Sequence, residues 1–281
     1  MTASYGIFGW PVSHSLSPAM HNAAFRELAI DGVYVPFAVP PQRLNEAVKA
    51  IVALNIQGVN VTLPHKLDVV RMLDEVEAPA RIIGAVNCIT NRNGRLLGSN
   101  TDAPGLVHFL HEANVPVADR KICVLGTGGA ARAAVSGLLQ SGAAEITVLA
   151  RTFRHAEELV SDFQTQLKKT VLIPADLERA QDWTARAQLL IQASSAMLHD
   201  GPQAQDFLKR LNLPALQTDT AVVDLAYGPQ GTPLTRAANA RGLKAYDGRG
   251  MLLHQARLSF EQWTDKGAPT NVMAAALENE A

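Results

Sequence analysis

Apolar and polar positions along this chain follow two periods, and the switches between them mark out its elements. Tyr5-Gly6-Ile7-Phe8, Val33 to Val39 and Gly58-Val59-Asn60-Val61 are short apolar runs of strand length. Between them Met20, Ala24 and Leu28 recur at spacings of four, behind Ser17 as a helix N-cap and Pro18 at the first helical position. Leu44, Ala47, Val48, Ile51 and Val52 form the stripe of an amphipathic helix, and a further helix is expected after Pro64. Ala85 to Thr90 and Arg95 to Gly98 flank Asn93-Gly94, a dipeptide suited to the positive φ angles of a tight hairpin.

A new unit begins near Pro104. Lys121 to Leu125 reads as a strand, Gly126 to Gly129 as a turn, Ala130 to Gln140 as a helix and Glu145 to Leu149 as a second strand, together a βαβ unit. Apolar runs at 171–173, 189–191 and 221–223 continue a doubly wound sheet, and helices over 251–266 and 270–278 close the chain. The pattern predicts an α/β protein with two α/β domains and largely parallel sheets, the second domain of Rossmann type.

Composition narrows this picture without redirecting it. The 281 residues carry 25 basic and 26 acidic side chains, so no polyanionic partner is indicated and nucleic-acid binding is not expected. Cys88 and Cys123 lie inside apolar runs and read as buried reduced thiols. No leader and no run long enough to span a bilayer is evident, which points to a cytoplasmic protein without a membrane partner. No metal site is expected.

Three clusters carry candidate chemistry. Gly126-Thr127-Gly128-Gly129-Ala130-Ala131 fits G-x-G-x-x-G/A, whose glycines let the backbone approach a pyrophosphate at a helix N-terminus. The next strand ends in Arg151-Thr152-Phe153-Arg154 with no carboxylate, so NADP is favoured over NAD through Arg151, Thr152 and Arg154. Ser15 and Ser17, two hydroxyls just before a helix, suit a carboxylate; capping would explain Ser17 but not Ser15. Lys66 and Asp102 stand near two expected strand ends, in Asn60-Val61-Thr62-Leu63-Pro64-His65-Lys66 and Asn100-Thr101-Asp102. Such a pair could move a proton while a nicotinamide moves a hydride; as a bare pair it would more often be a plain salt bridge, and only its motif context raises catalysis above that.

In order along the chain, Ser13-His14-Ser15-Leu16-Ser17-Pro18, the two segments just quoted, Gly84-Ala85-Val86-Asn87 between them, the glycine loop, and Asp247-Gly248-Arg249-Gly250-Met251 leading to Gln255 form a specific set. Through them the chain resembles the shikimate dehydrogenase family (shikimate/quinate dehydrogenases) over essentially its whole length. The resemblance implies reversible NADPH-dependent reduction of 3-dehydroshikimate to shikimate in aromatic amino-acid biosynthesis, by a monomer or homodimer. It implies a substrate-binding catalytic domain over 1–103 plus 249–281 and an NADP-binding Rossmann domain over 104–248.

Carried over by residue, Ser15 and Ser17 would hold the substrate carboxylate, and Thr62, Asn87 and Gln255 its hydroxyls. Tyr227 would close over the substrate, and Lys66 and Asp102 would act at the reacting oxygen. Gly126, Gly128, Gly129, Ala130, Arg151, Thr152, Arg154, Leu225, Gly248 and Met251 would line the cofactor, Met251 with Gly250 near the nicotinamide. Ala150, His155 and Gln192-Ala193-Ser194-Ser195 depart from the commoner family residues, all on the nucleotide side. Two rival readings are an NAD-using quinate/shikimate paralogue and a non-catalytic module that senses NADP or another ligand.

Overall fold

The computed structural model describes residues 2–197 and 200–280. In chain order the first elements are β1 (Ala3–Gly9), α1 (Ser17–Glu27), β2 (Gly32–Ala38), α2 (Leu44–Ala53), β3 (Gly58–Val61), β4 (Glu75–Val76), α3 (Ala78–Ile83), β5 (Cys88–Arg92), β6 (Arg95–Ser99) and α4 (Asp102–Glu112). There follow β7 (Lys121–Leu125), α5 (Gly129–Gln140), β8 (Glu145–Ala150), α6 (Phe153–Asp162), β9 (Val171–Asp176), α7 (Ala180–Thr184), β10 (Leu189–Gln192) and α8 (Pro202–Leu211). The last are β11 (Ala221–Asp224), α9 (Pro233–Asn239), β12 (Ala245–Tyr246), α10 (Arg249–Thr264) and α11 (Thr270–Asn279). Two compact units emerge, Met1–Gly105 with Leu252–Ala281, and Leu106–Met251, the chain passing between them within α4 and α10. No helix among the described residues is long and apolar enough to cross a membrane.

The first unit is built on a six-stranded sheet in the order β2-β1-β3-β5-β6-β4. It is mixed, because the hairpin expected at Asn93-Gly94 adds antiparallel pairs to an otherwise parallel sheet. β1 runs parallel to β2 and β3, but β5 is antiparallel to both β3 and β6. The reason is local: Asn93 (φ 55°) and Gly94 (φ 89°) make a two-residue turn of positive-φ residues that returns the chain directly onto its neighbour. That turn pairs Arg92 with Arg95 and thereby sets the register through to Cys88 opposite Ser99. Residues 85–87 belong to the loop before β5 and not to the strand. Tyr5, Ile7 and Cys88 pack on one face of the sheet with α1, α10 and α11, while Phe8, Val59, Val61 and Ile89 pack on the other with α2.

The expected helix after Pro64 does not form. A series of turns leads instead into a short 3-10 segment, Asp68–Met72. One helical bond forms, Val69 N–H to His65 O (3.0 Å), but the next carbonyl, that of Lys66, is taken by Val86 N–H (2.9 Å) and the ladder is not continued.

The second unit carries a wholly parallel sheet in the order β12-β11-β10-β7-β8-β9, the doubly wound arrangement expected from the alternating pattern. Its strands read as continuous apolar runs because both faces are covered. Ile122, Val124, Ile146 and Val148 enter one core, and Cys123, Leu125, Leu149 and Leu190 the other. The strand order reverses between β7 and β10, and the glycine turn leaves β7 at that point.

Candidate active site

The first unit gathers its polar residues along one sheet edge for a topological reason. β1, β3 and β6 all end there, and antiparallel β5 begins there, as the pairings Phe8 with Val61, Asn60 with Cys88 and Cys88 with Ser99 require. Ser15 and Ser17 therefore follow β1, Thr62 and Lys66 follow β3, Asn87 precedes β5, and Asp102 follows β6. The hairpin register alone puts Asn87 across from residues 100–102.

At the centre Lys66 Nζ donates to Asp102 Oδ2 at 2.6 Å, the side chains 16% and 4% exposed. Asp102 is the first residue of α4 and not the end of a strand, so its carboxylate stands at the positive end of a helix. Asn87 Nδ2 reaches three acceptors, Asp102 Oδ1 (2.9 Å), Thr101 Oγ1 (2.9 Å) and Gln255 Oε1 (3.2 Å), while its Oδ1 accepts from Thr101 N–H at 2.7 Å. Asn100 Nδ2 donates to Ala85 O and its Oδ1 accepts from Ala103 N–H, tying the segment 100–103 to the loop before β5. Four expected site residues, Lys66, Asn87, Asp102 and Gln255, are thus joined by direct hydrogen bonds.

Thr62 and the serines lie on the same edge but outside this bonded cluster. Thr62, half-buried, approaches Gly9 so closely that a Cβ there would meet its Cγ2 at 2.5 Å. The expected cap is reversed between the two serines. Ser17 is the first residue of α1 rather than its N-cap, and Leu16 holds the cap position without a side-chain bond. Ser15 Oγ accepts from Ser17 N–H at 3.3 Å and so supplies the local cap, while Ser17 is buried. The two-residue reach of a serine hydroxyl explains the exchange.

Sequence reasoning quoted Asn60 and Thr101 only as parts of motifs and left Tyr34 and Ser259 unmarked. All four are buried and continue the network: Tyr34 OH donates to Asn60 Oδ1 (2.8 Å), and Asn60 Nδ2 donates to Ser259 Oγ (2.9 Å) and Asn87 O (3.1 Å). Thr101 Oγ1 lies 3.1 Å from Ser259 Oγ, which donates to Gln255 O at 3.0 Å. Ser259 stands four residues after Gln255 on α10, a spacing that could have marked it. His21, fully buried, stacks on Tyr34 at 4.4 Å, and burial lowers its pKa to about 3. Cys88 lies against Ser259 and Ser99; burial raises its thiol to about 12, as it does Cys123, and both are free and reduced.

In the second unit Gly126 has φ +113°, a conformation that favours glycine, and a Cβ there would meet Ala193 O at 3.1 Å, beside the end of β10. Gly128, the N-cap of α5, has open space where a Cβ would project. The first turn of the twelve-residue α5 thus offers N–H groups with no side chain in front of them. A pyrophosphate fits that cradle. Ala130 is half-buried and Ala131 packs fully into the core, the role of the third small residue.

Arg151 and Thr152 are exposed after β8. Arg154 is also exposed and its Nε donates to Glu158 Oε1 at 2.9 Å, a bond along its own helix. Leu225 and Tyr227 follow β11, half-buried, and Gly248 packs so tightly on Leu225 O that no Cβ could be accommodated. Met251 is buried in the core of this unit. Asp224, the last residue of β11, went unmarked by sequence. It is fully buried; its Oδ1 accepts from Ala226 N–H at 3.0 Å, while its Oδ2 finds no hydrogen-bond partner among the described residues. Burial, with the Asp247 charge adding, outweighs the stabilisation from Thr232 and Ala226 and raises it to about 7.

Family comparisons converge on one assignment. Residues 7–89 match the model described as shikimate dehydrogenase substrate binding domain, 110–227 shikimate / quinate 5-dehydrogenase, and 248–278 shikimate 5'-dehydrogenase C-terminal domain. A shikimate dehydrogenase (NADP(+)) of Desulforamulus reducens is 42% identical over 98% of this chain and 94% of its own length. The crystal structure of the shikimate dehydrogenase from Aquifex aeolicus superposes with TM-score 0.87 at 32% identity, covering 98% of this chain and 97% of that one. The Thermus thermophilus shikimate 5-dehydrogenase, solved in complex with NADP(H) and shikimate, gives 0.85 at 34% identity over 99% and 100% of the two chains. With identity of this order over nearly the full length, the chain belongs to the shikimate dehydrogenase family.

Proposed function

We propose that the protein catalyses the reversible NADPH-dependent reduction of 3-dehydroshikimate to shikimate in aromatic amino-acid biosynthesis. The observation that carries this reading is the Lys66–Asp102 ion pair at 2.6 Å, held from its far side by Asn87. NADPH, when bound, would supply the hydride to the ketone carbon, and the carbonyl electron pair moves to its oxygen as an alkoxide.

The chain's own residues serve the other half of the reaction. Lys66 places a cationic donor at the oxygen where negative charge develops, and the Lys66–Asp102 pair delivers one proton to it in reduction and takes one back in oxidation. Asn87 and Gln255 orient the neighbouring hydroxyls with Thr62, Ser15 and Ser17 hold the carboxylate, and Tyr227 closes over the ring.

Gly126, Gly128, Gly129 and Ala130 receive the pyrophosphate. Arg151 and Thr152 would take the 2′-phosphate, with Arg154 beside them; Leu225 and Gly248 would line the cofactor, and Met251 would lie near the nicotinamide. The segment 1–103 with 249–281 is the substrate domain and 104–248 the cofactor domain of a cytoplasmic enzyme, a monomer or homodimer.

Steady-state turnover of shikimate and quinate with NADP and NAD tests this reading. We expect kcat/KM for shikimate with NADP to exceed every other combination by at least about tenfold. A preference for quinate with NAD would reassign the protein to the quinate branch. Nucleotide binding without turnover of either acid would make it a binding module.

A further inference from the structure

We propose that Ser259 is a positioning residue for the proton-handling pair, acting through Thr101 on the side-chain amide of Asn87 and through Asn60 on its backbone carbonyl; this rests on the function proposed above. The argument follows where each hydrogen goes. Ser259 sits one helical turn beyond Gln255 and gives its only hydroxyl proton to Gln255 O at 3.0 Å. Its oxygen is then purely an acceptor. One donor to it is Asn60 Nδ2 at 2.9 Å, an assignment fixed because Asn60 Oδ1 is claimed by Tyr34 OH and its second Nδ2 hydrogen faces Asn87 O.

The second donor must be Thr101, 3.1 Å away. With its proton committed to Ser259, Thr101 Oγ1 presents lone pairs to Asn87, whose Nδ2 meets it at 2.9 Å. The opposite end of that amide accepts from Thr101 N–H at 2.7 Å, which excludes the flipped orientation. Asn87 Nδ2 is thereby aimed at Asp102 Oδ1, leaving Oδ2 to Lys66. One hydroxyl on α10 thus sets which way the Thr101 hydroxyl points, and with it the acceptor that stands beside Asp102 at Asn87 Nδ2, Gln255 Oε1 (3.2 Å) being the further one. Ser259, Asn60, Thr101, Asn87 and Asp102 are all buried, so no bulk water competes to reset them.

Removing the hydroxyl frees the Thr101 proton to turn toward Asn87 and leaves one Asn60 hydrogen without its acceptor. The amide of Asn87 stays unflipped, because Thr101 N–H still holds its Oδ1, but Nδ2 loses the lone pair that Thr101 Oγ1 presented beside Asp102. Its bond to Asp102 Oδ1 is then less firmly aimed, and the carboxylate draws more strongly on the lysine proton. Turnover should suffer more than binding of the cofactor.

The test compares wild type with Ser259→Ala and Ser259→Thr. In Ser259→Ala we expect kcat for shikimate oxidation to fall about fivefold or more with KM for NADP within about twofold, and the acid limb of the kcat profile to move to higher pH. Ser259→Thr keeps the hydroxyl and should recover both. Exchange of the Asn87 side-chain NH2 protons, followed by NMR with the peaks identified through Asn87→Asp, should quicken in Ser259→Ala independently of any turnover.

Wild-type kcat, profile and Asn87 exchange in Ser259→Ala would overturn the proposal. So would a folded Ser259→Thr enzyme that behaves like the alanine variant. Wild-type protein without activity on shikimate would count against the functional reading instead, and the Asn87 exchange would still decide whether Ser259 orients that amide.

Discussion

Lys66 and Asp102, 36 residues apart in the chain, meet as a 2.6 Å ion pair whose carboxylate is held at its other oxygen by Asn87. Both charged groups are largely out of water, and the loss of either leaves the other buried without its partner. Such losses cost about 3–5 kcal/mol in stability when a pair is fully buried, so folding has to be monitored together with activity. Lys66→Ala is expected to lower kcat by about a hundredfold or more while leaving KM for shikimate within about fivefold. Steady-state kinetics on protein verified as folded by circular dichroism checks this. Full turnover would remove Lys66 from the proposed chemistry.

Arg151 and Arg154 are not equivalent, although the sequence sets them side by side. Arg154 is already bonded to Glu158 along α6, so recruiting it to a phosphate means exchanging one partner for another. Arg151→Ala should raise KM for NADP by about tenfold or more and leave KM for NAD little changed, the loss of a charge-assisted phosphate contact. Arg154→Ala should cost several times less. Cofactor titrations of the two variants decide the ranking, and a larger effect at Arg154 would reverse it.

Asp224 makes the second unit sensitive to pH. Its folded pKa is raised from 3.8 to about 7, so between these values the native state binds a proton that the unfolded chain has released. Stability therefore falls as pH rises through this window, by on the order of 4 kcal/mol at most. Asp224→Asn keeps an acceptor for Ala226 N–H and carries no charge. Relative to wild type it should gain stability between pH 5 and pH 8, measured by urea unfolding at each pH. Parallel behaviour of the two proteins across that range would refute the assignment.

His21 works in the opposite direction. Burial lowers it from 6.5 to about 3, so the unfolded state binds the extra proton, and stability is lost as pH falls from about 6.5 toward 3. His21→Phe preserves the ring stack on Tyr34 and removes the titration. Its acid-unfolding midpoint should lie at lower pH than that of wild type and its stability should change less between pH 7 and pH 4, whatever overpacking costs at neutral pH. An unchanged acid slope would show that another group governs this limb.

Much of the molecule was legible before folding because local chemistry and tertiary need agree. Asn93-Gly94 marked a hairpin, and its positive φ angles are what the turn uses. Lys121–Leu125 and the glycine loop marked the βαβ start, since a strand buried on both faces has to be apolar throughout. The misses share a cause: partners from distant segments. The helix after Pro64 was lost because Val86 claims the Lys66 carbonyl. Ser259 went unmarked because its two donors, Asn60 and Thr101, lie on segments far away in the chain. Asp224 went unmarked because its burial depends on the elements packed around the end of β11.

The sequence by itself determined the elements, the parallel second sheet, the glycine cradle and the identity of the ionisable pair, because each depends on periodicity or on side-chain chemistry within a few residues. Only the tertiary structure decided that Lys66 and Asp102 touch, which oxygen each donor takes, that Ser15 rather than Ser17 caps α1, and that Ser259 stands behind them. Those are matters of register. A two-residue turn sets β5 against β6, that pairing sets Asn87 against Thr101 and Asp102, and no local pattern in the chain encodes the distances that result.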